Sequence, residues 1–66
     1  MKNLTARELE VVALLAEGLT NVEIGKRLYI SVHTVKSILE NIYDKLSVHN
    51  RVQLAILYVK ELELKS

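Results

Sequence analysis

Residues 20–37, TNVEIGKRLYISVHTVKS, decide the fold. The first four, Thr20-Asn21-Val22-Glu23, have the form of a capping box. The Thr hydroxyl accepts from a backbone amide of the first turn, and the Glu carboxylate reaches back to the cap amide. Leu19 and Ile24 flank the box as a hydrophobic staple pair. A short helix over 21–28 follows, with Ile24, Gly25 and Leu28 on one face. Glycine inside a helix costs about 0.5–1 kcal/mol relative to alanine, so Gly25 predicts a close crossing by another helix. Tyr29-Ile30-Ser31 then reads as a short turn, and Ser31 is a good N-cap. The next helix spans 32–46. Its Val35, Leu39, Ile42 and Leu46 follow 4-3-4 spacing and form a buried stripe. At about 1.5 Å per residue this helix is about 22 Å long.

The same signals recur on both sides. Thr5-Ala6-Arg7-Glu8 is a second capping box, with Leu4 and Leu9 as its staple. It opens a helix over 6–17 that ends at Gly18, a residue suited to the left-handed conformation. Leu9, Val11, Val12, Ala13, Leu14, Leu15 and Ala16 cover most of that helix's circumference, which places it in the middle of the domain. Downstream, Asn50-Arg51-Val52-Gln53 caps a fourth helix over 51–62, with Gln53 as the reciprocal partner and residues 63–66 fraying. The expectation is an all-α, compact four-helix domain that occupies residues 1–66 alone, as a length of 66 residues and 7.5 kDa requires. The chain has no Pro, consistent with unbroken helices, and no Cys, which excludes disulfides and thiolate metal ligands. Its apolar runs are shorter than the roughly 20 residues of a membrane span. Met1-Lys2-Asn3-Leu4-Thr5 lacks the apolar core of a signal peptide. The chain is therefore expected in the cytoplasm, with no membrane partner.

Two helices joined by so short a turn, the second one longer, are a helix-turn-helix. In versions that bind DNA, the second helix enters the major groove and the first lies across the backbone. The 32–46 helix has the required division. Val35, Leu39 and Ile42 face inward, while His33, Lys36, Ser37, Glu40 and Asn41 face outward. Lys36 can donate to guanine O6 or N7, and Ser37 can donate or accept. Glu40 can accept from cytosine N4 and otherwise repels phosphate. Thr20, Asn21, Ser31 and Thr34 are short donors near helix starts, as phosphate contacts often are; for Thr20 and Ser31, capping and phosphate contact are compatible. Charge agrees: residues 1–23 carry two cations and four anions, residues 24–51 five cations and two anions, and residues 52–66 balance. A basic middle between neutral or acidic ends favours an anionic partner for the middle.

Other residue groups read as structural. His49 is a surface loop residue, and two His without Cys make no metal site. Glu8 and Glu10 stand two apart on a helix and face different ways, so ion pairing with Arg27 or Arg51 is expected rather than acid–base chemistry. Tyr29, Tyr43 and Tyr58 are expected at the core edge with wet hydroxyls. No nucleophile–base pair is visible, so neither an enzyme nor a cofactor is expected.

Leu4-Thr5-Ala6-Arg7-Glu8-Leu9-Glu10-Val11, Gly18-Leu19-Thr20-Asn21, Glu23-Ile24 and Leu28-Tyr29-Ile30-Ser31 resemble the LuxR/GerE/NarL-type helix-turn-helix family. Thr34-Val35-Lys36-Ser37, Ile42-Tyr43, Lys45-Leu46 and Asn50-Arg51 continue the resemblance without a gap to about residue 59. It implies a four-helix DNA-binding domain of bacterial transcriptional regulators, often placed after a sensor or phosphoacceptor domain. Lys36, Ser37 and Glu40 then occupy base-facing positions; His33 is added to the base-facing set from its outward position alone, where an exposed helix residue or a phosphate contact is the alternative. Asn21, Ser31, Thr34 and Lys45 occupy positions that usually sit near phosphates. Three residues depart from the pattern: Gly25 where Ala is frequent, Ser47 where Gly is frequent, and Ile38 where His is usual.

The resemblance also implies dimerisation through the fourth helix, and the residues agree. With Ala55, Tyr58 and Leu62 taken as the inward stripe, Val52, Ile56 and Val59 form a second one, an apolar excess that points to association. A two-fold homodimer would set two recognition helices about 34 Å apart on DNA. The alternatives are a sigma-factor-like promoter-binding module, whose partner would be RNA polymerase, and a helical protein–protein adaptor that uses the fourth helix.

Overall fold

Each helix starts where a side chain satisfies the free amides of its first turn. The computed structural model describes residues 1 and 3–65. It contains α1 (Ala6–Ala16), α2 (Asn21–Leu28), α3 (Val32–Leu46) and α4 (Arg51–Lys65). The Thr5 hydroxyl accepts from the Glu8 amide at 3.0 Å, and the Thr5 amide donates to the Glu8 carboxylate at 2.8 Å. Thr20 and Glu23 repeat the pair at 3.2 and 2.8 Å. Ser31 Oγ accepts from the Thr34 amide at 3.0 Å. At α4 the arrangement differs from a reciprocal box. Asn50 Oδ1 accepts from the Gln53 amide, but Gln53 Oε1 reaches one residue further and accepts from the His49 amide at 2.7 Å.

Three helix ends close alike. After α1, α2 and α3 an amide donates five residues back: Leu19 to Leu14, Ile30 to Gly25, and Val48 to Tyr43. Such a closure needs a left-handed residue, and here these are Gly18, Tyr29 and Ser47. Only the first is glycine. The αL conformation costs a residue with a Cβ roughly 1–2 kcal/mol. The turn after α2 also corrects the expectation for Gly25. A Cβ there would stand 2.7 Å from the Ile30 carbonyl oxygen, so the close approach comes from the turn's own backbone, not from a crossing helix. Tyr29 projects from this turn with 95% of its surface exposed, so it is not a core-edge residue. Tyr43 and Tyr58 do pack against the core.

The core comprises Val11, Val12, Leu14 and Leu15 of α1, Ile24 of α2, Val35, Leu39 and Ile42 of α3, and Leu54 of α4. α1 packs against the other three helices, as its apolar circumference requires. The all-α fold follows the sequence pattern, and α1 to α3 start where their caps place them. Two corrections concern α4. It continues to Lys65, so residues 63–65 are helical rather than frayed, and Ser66 lies outside the described residues. Its inward anchor is Leu54, fully buried, whereas Leu62 is half exposed. Ala55 and Tyr58 pack against the core as expected, so the helix is turned only enough to bring Leu54 inward and leave Leu62 out. No helix among the described residues is long and apolar enough to cross a membrane.

Candidate nucleic-acid interface

α3 buries one side and leaves the other free. His33, Lys36, Ser37 and Glu40 are all exposed. At 3.6 residues per turn they fall within an arc of about 100°. None of the four side chains has a hydrogen-bond or ion-pair partner among the described residues. Ile38, off this arc, is half-buried and packs against the core.

The polar groups around this face are fixed by the fold. Ser31 Oγ and Thr34 Oγ1 lie 3.0 Å apart at the exposed start of α3, one hydroxyl donating to the other. Thr20 caps α2 and Asn21 is its first residue. A shallow groove runs between the two helix starts, lined in part by Thr20, Asn21, Val22, Val32, Lys36 and Arg51. The structure thus brings Thr20, Asn21 and Lys36 onto one groove.

Arg51, absent from the site residues that the sequence suggests, organises this edge. Its guanidinium donates to Asn21 Oδ1 at 2.9 Å and to the Leu19 carbonyl at 2.7 Å. With Oδ1 held by Arg51, the Asn21 amide nitrogen keeps its donors for another partner. In the sequence Arg51 reads as part of the Asn50-Arg51 cap and as an ion-pair partner for Glu8 or Glu10; neither points to a contact with Asn21, 30 residues away.

Lys45 stands apart from the α3 arc. Its ammonium donates to Glu8 Oε1 at 2.8 Å and ties the end of α3 to the start of α1. Glu8 is buried. The Lys45 hydrogen bond, with that of the Thr5 amide, holds its carboxyl below the usual value of 4.5 against the opposing effect of burial. Glu10 pairs with Arg7 at 3.2 Å. The expected partners of these carboxylates, Arg27 and Arg51, are therefore replaced by Lys45 and Arg7. Glu23 is also held low, first by the Thr20 amide and then by its hydroxyl, with Lys26 and Arg27 nearby. His49 is an exposed loop residue. Among the described residues no cluster of His, Cys, Asp or Glu could hold a metal ion.

Residues 2–58 match the family model of bacterial regulatory proteins, luxR family. The transcriptional regulatory protein LiaR of Bacillus subtilis is 51% identical over 55 residues, which cover 83% of this chain and 26% of that protein. The probable transcriptional regulatory protein SgaR of Hyphomicrobium methylovorum is 51% identical over 59 residues, 89% of this chain and 28% of its own length. A nitrate/nitrite response regulator homologue of Haemophilus influenzae is 39% identical over 61 residues, 92% of this chain and 29% of its own. The chain thus spans between a quarter and a third of the length of these relatives. On the family match and these identities together, the chain belongs to the luxR family of bacterial regulatory proteins, which are regulators and not enzymes.

Proposed function

We propose that this chain, as one domain over residues 1–66, binds double-stranded DNA sequence-specifically in transcriptional regulation. α3 lies in the major groove and α2 crosses the backbone. One observation carries the reading: the outer arc of α3 holds four exposed polar side chains without partners among the described residues, and one of them, Lys36, lines a groove shared with Thr20 and Asn21 at the start of α2. Lys36, Ser37, Glu40 and His33 face the bases. Thr20, Asn21, Ser31 and Thr34 meet phosphates at the groove's edges. Lys45 gives one of its three donors to Glu8 and keeps two for a phosphate. The names of the relatives, transcriptional regulators by description, support the same reading.

A homodimer forms through the outer side of α4. Val52, Ile56 and Val59 are all exposed there, with the half-exposed Leu62 beside them. A monomer has no use for this row of aliphatic side chains. Electrophoretic mobility shift on a random duplex pool, titrated with salt, tests DNA binding. Retention should weaken at least tenfold between roughly 50 mM and roughly 200 mM salt as counterions are released. A chain that retards no duplex at the lower salt refutes the reading.

A further inference from the structure

Glu40 is an unexpected residue for a surface that meets DNA. It lies on the same arc as Lys36, one helical turn further on, exposed and without a partner among the described residues. The Lys36 ammonium four residues earlier does not neutralise it, although that spacing permits an ion pair. A carboxylate brought into the major groove meets phosphates on both sides and acceptors on most base edges, and each contact is repulsive. Two bases present an amine there: cytosine N4 and adenine N6. Adenine sets its N7 acceptor beside the amine, where a carboxylate has no hydrogen to offer. Cytosine presents the amine alone.

Resting on the DNA-binding reading above, we propose that Glu40 is a specificity-determining residue that selects cytosine at one position of the half-site. It acts by both attraction and exclusion. It accepts from cytosine N4, and it penalises every register in which the same position offers only acceptors. Lys36 supplies a second position, guanine, through O6 or N7. The two side chains leave α3 about 6 Å apart along its axis, four residues at about 1.5 Å. Base pairs stack at about 3.4 Å, so the two G·C pairs stand one or two steps apart. The half-site read by α3 is therefore G·C-containing at two close positions, one under each side chain.

Site selection from a random duplex pool, run with the wild-type chain, Glu40→Gln and Lys36→Ala, tests this. The wild type should enrich a motif with an invariant cytosine. In Glu40→Gln that position should change to adenine, because a Gln amide both donates to N7 and accepts from N6. The rest of the motif should stay the same. Lys36→Ala should relax a different position, one or two base pairs away. Direct titration should show the wild type preferring the cytosine site by about 5- to 150-fold and Glu40→Gln reversing the preference, the fold-change that one base contact carries. Binding to duplexes without the motif should rise in Glu40→Gln, since a groove anion has been removed. Circular dichroism checks that the variants are folded, and Glu40→Ala, a better helix former, should lose the preference at that position alone. An unchanged motif in both Glu40 variants overturns the assignment while leaving DNA binding intact. A wild type that enriches no motif overturns the DNA-binding reading itself, and the assignment with it.

Discussion

Helices α3 and α4 have fifteen residues each, yet they leave opposite chemistry in solvent. α3 buries Val35, Leu39 and Ile42 and exposes His33, Lys36, Ser37 and Glu40. α4 anchors itself through Leu54 and exposes Val52, Ile56, Val59 and Leu62. Both inner sides do the same work, since removing apolar surface from water is not directional. The outer sides differ in what would complete them. A row of unpaired polar groups is satisfied by a polar lattice such as a nucleic acid groove. A row of aliphatic groups is satisfied only by another apolar surface. The contrast separates residues that hold the fold from residues that the fold leaves in solvent.

The largest effect should come from the anchor of α4. Leu54→Ala should lower unfolding free energy by about 2–5 kcal/mol, the usual cost of a cavity at a fully buried leucine. Chemical denaturation measures it, and a loss within 0.5 kcal/mol, roughly the range of surface substitutions, would place α4 outside the core. On the opposite side of the same helix, Ile56→Glu should leave the monomer folded and weaken self-association by more than about a hundredfold. Two carboxylates would be desolvated against each other at the two-fold axis. Sedimentation across a concentration series, without and with DNA, reports this. If Ile56→Glu unfolds the chain, the aliphatic row belongs to the core and the contrast disappears. On α3, Lys36→Ala should cost about 1–3 kcal/mol of binding to a selected duplex with an unchanged melting temperature. Equal affinity of variant and wild type would show that the outer arc of α3 does not read DNA.

The smallest effect is a pH dependence at the contact between the start of α1 and the end of α3. Glu8 has its carboxyl lowered by Lys45 and Thr5, so its contribution to stability is complete above the ordinary value of 4.5 and is lost as pH falls through the depressed value in the folded chain. Thermal melts should therefore decline below about pH 4.5, and Glu8→Gln should make that decline shallower. Identical pH profiles for the two proteins would assign the acid sensitivity elsewhere.

Much of α3 was legible from sequence because a cap, a turn and a strict stripe all agree on its rotation. Fixing Val35, Leu39 and Ile42 inward fixes Lys36 and Glu40 outward. The rotation of α4 was not legible. Apolar residues occur at 52, 54, 55, 56, 57, 58, 59, 62 and 64, nearly all round, so spacing alone admits several stripes. Only packing against α1 selects Leu54. The Glu8–Lys45 and Asn21–Arg51 contacts were equally out of reach, since they join residues 37 and 30 positions apart. The exposure of Tyr29 was missed for a local reason. It fills the left-handed closing position of α2, where glycine would have signalled the turn.

The hydroxyl pair at the start of α3 has a consequence for how it can meet an anion. Ser31 and Thr34 bring two oxygens and two protons to a separation of 3.0 Å. Their mutual hydrogen bond occupies one proton, and the Thr34 amide already feeds a lone pair of Ser31. One proton is left over, and it can reside on either oxygen, because hydroxyl rotation reverses the bond between them without moving a heavy atom. An anion that arrives nearer Ser31 receives it from Ser31; one that arrives nearer Thr34 receives it from Thr34. The pair is a donor with two addresses, tolerant of small shifts in where an acceptor stands, while the first turn of α3 stays capped.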